Sequence, residues 1–413
     1  MERREFGEAA LLGLGAMALS GSEPLSGQRR GMVGMKITDV QVLPVDTYVF
    51  VKVLTNEGIT GLGEAGAWGF TEASAKAIET FKTYLVGQDP LRIEHHWQYC
   101  YRSSHFTGDA IVAGLSAIDI ALWDIAGKFL GVPCYQLLGG KTRDKARVYM
   151  HVFGDTREKL VRGCVRAKEE GFTAVGHLTP FLDEPTSVPY FKTHADKMRD
   201  AIDAVRQYRE AVGVGVDLCI ELHRRLTPAE AVVLAEGIEP YHPYFLEDPI
   251  KPDNLDAMTM LAQKVRIPIA TGERFFTMAQ FASLLQRGTV GYVRPDVCVC
   301  GGLTAAKKIA AMAEAMDVLV VPHNPLSPVS TAACIQLAAS IENFALQELP
   351  RGEHEPPKSE IVKNALQVEN GFIIVPDAPG IGVELADDAQ ERHPYRPRKL
   401  ATRLNTDGSI RDQ

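Results

Sequence analysis

Cys219-Ile220-Glu221-Leu222-His223, Phe245-Leu246-Glu247-Asp248-Pro249 and Ala270-Thr271-Gly272-Glu273-Arg274 are three versions of one device, a short apolar run ending on a carboxylate. Further along, Val293-Arg294-Pro295-Asp296, Val320-Val321-Pro322-His323 and Leu346-Gln347-Glu348 repeat it, and the spacings from Glu221 onward are 26, 26, 23, 27 and 25 residues. A period of that size is one strand followed by one helix. With Phe153 and Thr179 as earlier strand ends, the pattern predicts eight strands, enough to close a TIM-type barrel. Packing alone asks for Val, Ile or Leu at such positions. Polar groups that return at every strand end therefore place a site at the barrel mouth, where the C-terminal strand ends converge.

Outward from the barrel the texture changes. Ile37 to Val42, Phe50 to Thr55 and Thr60 to Glu64 read as a strand meander, with Asn56-Glu57-Gly58 as one turn. Helical periodicity follows in Glu72 to Leu85, Arg92 to Tyr101 and Ala110 to Leu130. The expected division is an α+β domain over 35–145, a barrel over 146–355 and a segment over 356–413 whose strand, Phe372 to Val375, packs back on the first domain. Residues 1–34 stand apart. Arg3-Arg4 before the apolar run Ala9 to Ser20 resembles a twin-arginine export signal, and the alternative is a disordered tail ahead of a start at Met35. The location is thus cytoplasmic, or periplasmic if the segment is a signal. The run is too short for a stable membrane span.

Composition narrows the classes. Of 413 residues, 46% are hydrophobic and 23% charged, which is globular and neither disordered nor membrane-embedded. A net charge of −8, with Lys and Arg scattered, argues against nucleic acid. Cys100, Cys134, Cys164, Cys219, Cys298, Cys300 and Cys334 are odd in number and lie in apolar patterns, so buried free thiols are expected. Cys298 and Cys300 alternate on one strand face, but no second pair at metal spacing accompanies them.

Glu221, Glu247 and Glu273 end three successive strands. A single strand-end carboxylate is ordinarily solvated or salt-bridged. Three side by side repel unless a cation joins them, and all-oxygen ligation suits one hard ion, Mg²⁺. Strand alternation places His223 on the inward face with Glu221, nearer the mouth, and Asp217 deeper by roughly 13 Å at about 3.3 Å per residue. Asp296 and His323 end the next two strands. An Asp beside an imidazole fixes its tautomer and raises its basicity, which makes a general base. Glu348 ends the eighth strand, either to bond a substrate or to sit in a buried ion pair.

These residues resemble the enolase superfamily, mandelate racemase subgroup, and most closely its sugar-acid dehydratases of the D-galactonate dehydratase type. The resemblance runs from about Met35 to Leu385. It rests on Phe-Leu-Glu-Asp-Pro at 245–249, Thr-Gly-Glu-Arg at 271–274, Arg-Pro-Asp-Val with Gly301-Gly302-Leu303-Thr304, Pro-His-Asn-Pro at 322–325, Leu-Gln-Glu at 346–348, and Ser116 to Asp124. It implies a (β/α)7β TIM-type barrel under an α+β capping domain formed from both chain ends, and a homo-oligomer. It also implies a chemistry in which one Mg²⁺ on Glu221, Glu247 and Glu273 binds the carboxylate of an aldonate-like sugar acid. A base, His323 with Asp296, removes the α-proton, the metal stabilises the enediolate, and His223 as acid helps expel the β-hydroxyl to give a 2-keto-3-deoxy acid.

Two departures stand out. Glu221 occupies a position where the family typically has Asp, and the extra methylene shifts the carboxylate by about 1.5 Å. On the second barrel strand, where Lys is frequent in the family, stands His177, either a substrate contact or a structural residue. Without that Lys, two-base racemisation is disfavoured. Arg225, more than Arg224, matches a family position for substrate binding. Specificity is expected from Trp68 in one capping loop and from Arg102 and His105 in the next, each of which also reads as an ordinary surface residue. A cycloisomerase or epimerase sharing the enediolate, and a sugar-acid binder without turnover, remain as alternatives. A metallohydrolase barrel is disfavoured because Val148-Tyr149-Met150-His151-Val152 lacks a His-rich cluster.

Overall fold

The computed structural model describes residues 34–182, 188–353, 355–400 and 402–412. The Arg3-Arg4 segment therefore lies outside the described residues. Everything below belongs to 35–413, one compact unit.

Strands β1 (Ile37–Val45), β2 (Tyr48–Thr55) and β3 (Thr60–Ala65) form the antiparallel meander. Helices α1 (Thr71–Leu85), α2 (Ile93–Ser103) and α3 (Asp109–Leu130) accompany it. β3 lies almost against α3, because a Cβ at Gly61 or Gly63 would stand 2.0 Å from the carbonyl oxygen of Ala121 or Ala117. α3 is long and apolar enough to cross a membrane, yet 83% of that apolar window is buried inside the protein. After Gly131, in the left-handed conformation that ends α3, a short turn α4 (Cys134–Leu137) leads to the barrel.

The barrel runs β4 (Lys145–His151), α5 (Arg157–Glu169), β5 (Ala174–Leu178), α6 (His194–Val212), β6 (Asp217–Glu221), α7 (Pro228–Ile238), β7 (Phe245–Glu247) and α8 (Leu255–Ala262). It continues β8 (Ile269–Thr271), α9 (Met278–Leu285), β9 (Tyr292–Val293), α10 (Gly302–Glu314), β10 (Leu319–Val320), α11 (Pro328–Ser340) and β11 (Gln347–Leu349). β4 to β10 pair in parallel in chain order, Val320 bridges Phe344, and β11 pairs with β4 to close the ring. This is the expected TIM-type barrel. Thr156, Thr193, Thr227, Asn254, Thr277 and Ser327 each accept a backbone N–H in the first turn of the following helix, which fixes where the helices begin. Inside the ring Tyr149, Phe245 and Leu346 fill the lumen below the mouth.

Two expectations need correction. Strand β13 (Phe372–Ile374), which follows α12 (Lys358–Ile361) and β12 (Val368–Glu369), pairs antiparallel with the start of β4 in the barrel, Ile373 opposite Ala146, and not with the meander. Only beyond it does the tail return to the cap: Ile381 N–H donates to Asp124, and Tyr395 and Thr71 share a 2.8 Å hydroxyl bond. The tail then lays Arg398 3.4 Å over the Trp68 ring and ends in a hairpin of β14 (Arg403–Leu404) and β15 (Ile410–Arg411), with Arg411 3.1 Å over the ring of Tyr190. Second, most barrel strands stop one to three residues short of the predicted ends, although β7 ends at Glu247 as expected and β11 runs to Leu349. β6 finishes at Glu221, and His223 takes φ 46°, so it reaches the mouth through a left-handed turn and not by strand alternation.

Candidate active site

Glu221 and Glu247 are the last residues of β6 and β7 and stand opposite each other in register. Glu273 comes two residues after β8, past Gly272 at φ 134°, where a Cβ would meet the Phe281 ring at 2.8 Å. Only glycine makes that turn without strain. One oxygen of each glutamate lies within 4.8 Å of the others. Burial pushes the pKa of Glu221 well up, and the charges of Glu273 and Asp248 add to it. Burial does the same to Glu247 against the pull of Arg294. Burial also opposes the charge on Glu273, but His323, His223 and Arg224 outweigh it and hold its pKa below the usual value. Two of the three carboxylates thus resist ionisation as they stand. A divalent cation would remove that resistance, and three converging oxygens fit a hard ion such as Mg²⁺.

Asp296 and His323 face each other across the ends of β9 and β10 and form an isolated bridge. His323 Nδ1 lies 2.8 Å from Asp296 Oδ2. A carboxylate only accepts, so Nδ1 carries the proton and Nε2 points the other way, 3.4 Å from Glu273 Oε2. Asp296 is itself fixed by the Cys298 N–H at 2.7 Å. Burial works against charge on His323, yet Glu348, Glu273 and Asp296 prevail and push its pKa up to about 10.

On the opposite side stand His223 and His177. The His223 N–H donates to Glu221 Oε1 at 2.7 Å, and its Nε2 lies 3.8 Å from Glu221 Oε2. His177 sits at a register irregularity of β5 with φ 50°, its ring 5.0 Å from that of His151 and 4.7 Å from that of His223. Burial, helped by the neighbouring imidazoles, drives its pKa well below the usual value, so His177 is neutral.

Glu348 has both oxygens engaged inside the barrel. Oε1 meets His151 Nε2 at 2.6 Å, and Oε2 takes Arg294 and the Asn324 N–H. Of the two readings open for Glu348, the geometry is that of the buried ion pair. Arg294 was not singled out from the sequence. It is fully buried over Tyr149 and Phe245 and reaches Glu247 Oε1 at 2.5 Å, so one guanidinium ties a metal-site carboxylate to Glu348. Its signal was an Arg inside an apolar strand, in Val293-Arg294-Pro295. His151 was likewise missed, since its partner is 197 residues away. Arg224, the neighbour of Arg225, lies 3.0 Å from Glu273 and 3.8 Å from Asp248. Asp217, the first residue of β6 and partly exposed, pairs with Arg147 away from the mouth.

The capping-loop candidates are not brought to this cluster by any described contact. Arg102 bonds Gln98 on its own helix, His105 lies exposed beside Phe106, and Trp68 holds Arg398.

Comparison with known proteins places the chain in a family. Residues 32–139 match the mandelate racemase / muconate lactonizing enzyme N-terminal domain, and residues 160–389 match the enolase C-terminal domain-like family. The chain is 35% identical over 361 residues to the D-galactonate dehydratase of Pectobacterium atrosepticum, covering 86% of this chain and 93% of the relative. The D-galactonate dehydratase of Xanthomonas campestris pv. campestris is 36% identical over 385 residues, 91% and 99% of the two chains. Among solved structures, a member of the enolase superfamily from Salmonella Typhimurium superposes with TM-score 0.80 at 32% identity, covering 87% of this chain and 99% of that one. An enolase from Agrobacterium radiobacter, with bound Na and L-malate, gives TM-score 0.84 at 29% identity, covering 92% and 100%.

Proposed function

The chain belongs to the enolase superfamily, in the mandelate racemase / muconate lactonizing enzyme family, and from that premise we propose that it is a Mg²⁺-dependent hydro-lyase of an aldonate-like sugar acid. The product is the 2-keto-3-deoxy acid. The observation that carries the reading is the facing of two groups across one mouth: three convergent carboxylates, and an Asp296–His323 pair whose Nε2 is aimed at them. The D-galactonate dehydratase relatives support the substrate class.

Glu221, Glu247 and Glu273 are the residues that hold the ion. When bound, Mg²⁺ supplies positive charge that offsets these carboxylates, with their pull on the His323 proton, and that stabilises charge building on the substrate carboxylate. His323 Nε2 then takes the α-proton, and Asp296 keeps the ring oriented and stabilises the imidazolium. The C–H electron pair moves into the carboxylate system. Its return forms the α,β double bond as the β C–O bond breaks, and His223 gives a proton to the departing hydroxyl, which leaves as water. The resulting enol tautomerises to the ketone. Arg294 holds Glu247 and Glu348 apart from these transfers, and Arg224 steadies Glu273.

The test is a panel of acid sugars in deuterium oxide with Mg²⁺. Wild-type protein is expected to release a product lighter by one water, and His323→Asn to lose both dehydration and α-proton exchange. Exchange that persists in His323→Asn removes it as the base. Exchange without loss of water in the wild type moves the chain to the epimerase reading.

A further inference from the structure

Glu221 faces two sets of partners. Besides the other glutamates, it stands with His177 and His223, and one ligating atom from each of these three also lies within 4.8 Å of the others. The closest recorded pair is His223 Nε2 and Glu221 Oε2 at 3.8 Å, and the two rings are 4.7 Å apart at 65°. Neither histidine is there through ordinary strand geometry. His177 sits on a strand irregularity at φ 50° and His223 follows β6 at φ 46°. Left-handed backbone at a non-glycine residue is strained, and it persists where the surroundings impose it, commonly at functional sites. Two adjacent strands thus each accept strain that turns an imidazole toward the same carboxylate.

The donors sort ions by chemistry. Mg²⁺ prefers oxygen ligands, whereas two imidazoles and a carboxylate suit a borderline ion such as Zn²⁺. Tetrahedral Zn²⁺ with bonds of about 2.1 Å needs ligands roughly 3.4 Å apart. The His223–Glu221 pair is already near that value, and rotation of the side chains has to close the rest by roughly 1 Å. The long arm of Glu221 gives one carboxylate reach toward both sets.

We propose that His177, Glu221 and His223 form a second cation site for a borderline transition ion, Zn²⁺, beside the all-carboxylate site and sharing Glu221 with it. Filling it engages the imidazole that supplies the proton to the leaving hydroxyl, so Zn²⁺ stalls the enzyme while Mg²⁺ supports it. The stalling rests on the proposed reaction, but the binding does not.

The full chain, stripped of metal and returned to excess Mg²⁺, is titrated with Zn²⁺ by calorimetry and, separately, with Cu²⁺ as a spin probe. One further Zn²⁺ per chain is expected, with nitrogen hyperfine coupling from two imidazoles in the Cu²⁺ spectrum. His177→Asn and His223→Asn, made separately, are each expected to weaken Zn²⁺ at least tenfold and to change Mg²⁺ affinity less than threefold. Absence of that equivalent, a spectrum without nitrogen coupling, or affinity that ignores both substitutions overturns the site. Wild-type dehydration should fall as Zn²⁺ fills the site and recover on chelation, and full turnover with the site filled overturns the stalling. If no sugar acid is dehydrated, the proposed reaction fails while the Zn²⁺ titration still decides the site.

Discussion

Two sets of three carboxylates in this protein are treated in opposite ways. At the seam between cap and barrel, Asp119 takes the Thr304 N–H and hydroxyl, Asp124 takes the Leu62 and Ile381 N–H groups and Lys128, and Glu64 takes the Ser327 hydroxyl and Ser330 N–H. At the mouth, Glu221, Glu247 and Glu273 face one another. Burial raises the pKa of all three seam acids, but each has donors reaching it from another element of the fold. The mouth acids share too few. A buried carboxylate surrounded by donors joins elements, whereas carboxylates turned toward each other leave a deficit of positive charge for something else to fill.

That contrast predicts different failures. Glu273→Gln should cut dehydration on the order of a thousandfold, as expected when a stabiliser of developing charge is lost. The metal-free variant should melt close to wild type, because relief of the repulsion with Glu221 offsets the loss of the Arg224 pair, and Arg224 keeps Asp248 within reach. A large fall in its melting temperature would mean that the mouth acids hold the fold after all. Asp124→Ala should do the reverse, costing about 3–5 kcal/mol in denaturant unfolding by stranding buried donors and the Lys128 charge, with Mg²⁺ affinity little changed. Mg²⁺ at a hundred times its dissociation constant should stabilise wild type by about 2.7 kcal/mol and Glu273→Gln far less. A further effect is one of pH. Burial pushes Glu64 up to about 8 from 4.5, against the two serine bonds. Between those values the folded protein keeps a proton that the unfolded chain has lost, so this group makes stability fall as pH rises through that window. Glu64→Gln should remove that part of the slope, and an unaltered slope would assign it elsewhere.

The mouth was far more legible in the sequence than the seam. Carboxylates at a period near 25 residues announce themselves, because a strand end that only packs would be apolar. Asp296 and His323 were readable for the same reason. The seam acids lie at ordinary positions in strand and helix, and nothing local says that Asp119 will meet Thr304, 185 residues on. Arg294 escaped because arginine is rarely fully buried, and its partners lie on two other strands. His223 was placed in the right neighbourhood by the wrong geometry: alternation assumes that the strand continues, and here it stops at Glu221. The capping loops remained opaque, since a Trp or His in a short loop carries no period.

Strand β4 acquires its partners at widely separated times during synthesis. Its end pairs with β5 and its middle with β11, while its start pairs with β13. A ribosome that has just released residues 145–151 must still make more than two hundred before Phe372–Ile374 arrives to cover the last open edge. Until β11 at 347–349 is made, one side of the first barrel strand has exposed backbone groups and no partner, and its start waits further for β13, the condition under which chains pair with each other. Truncation in the last forty residues or so spares β4, whereas one that removes β13 reopens its edge. For this protein the burden on the cell's folding machinery is therefore set near the end of the message, once every residue of the mouth has been made.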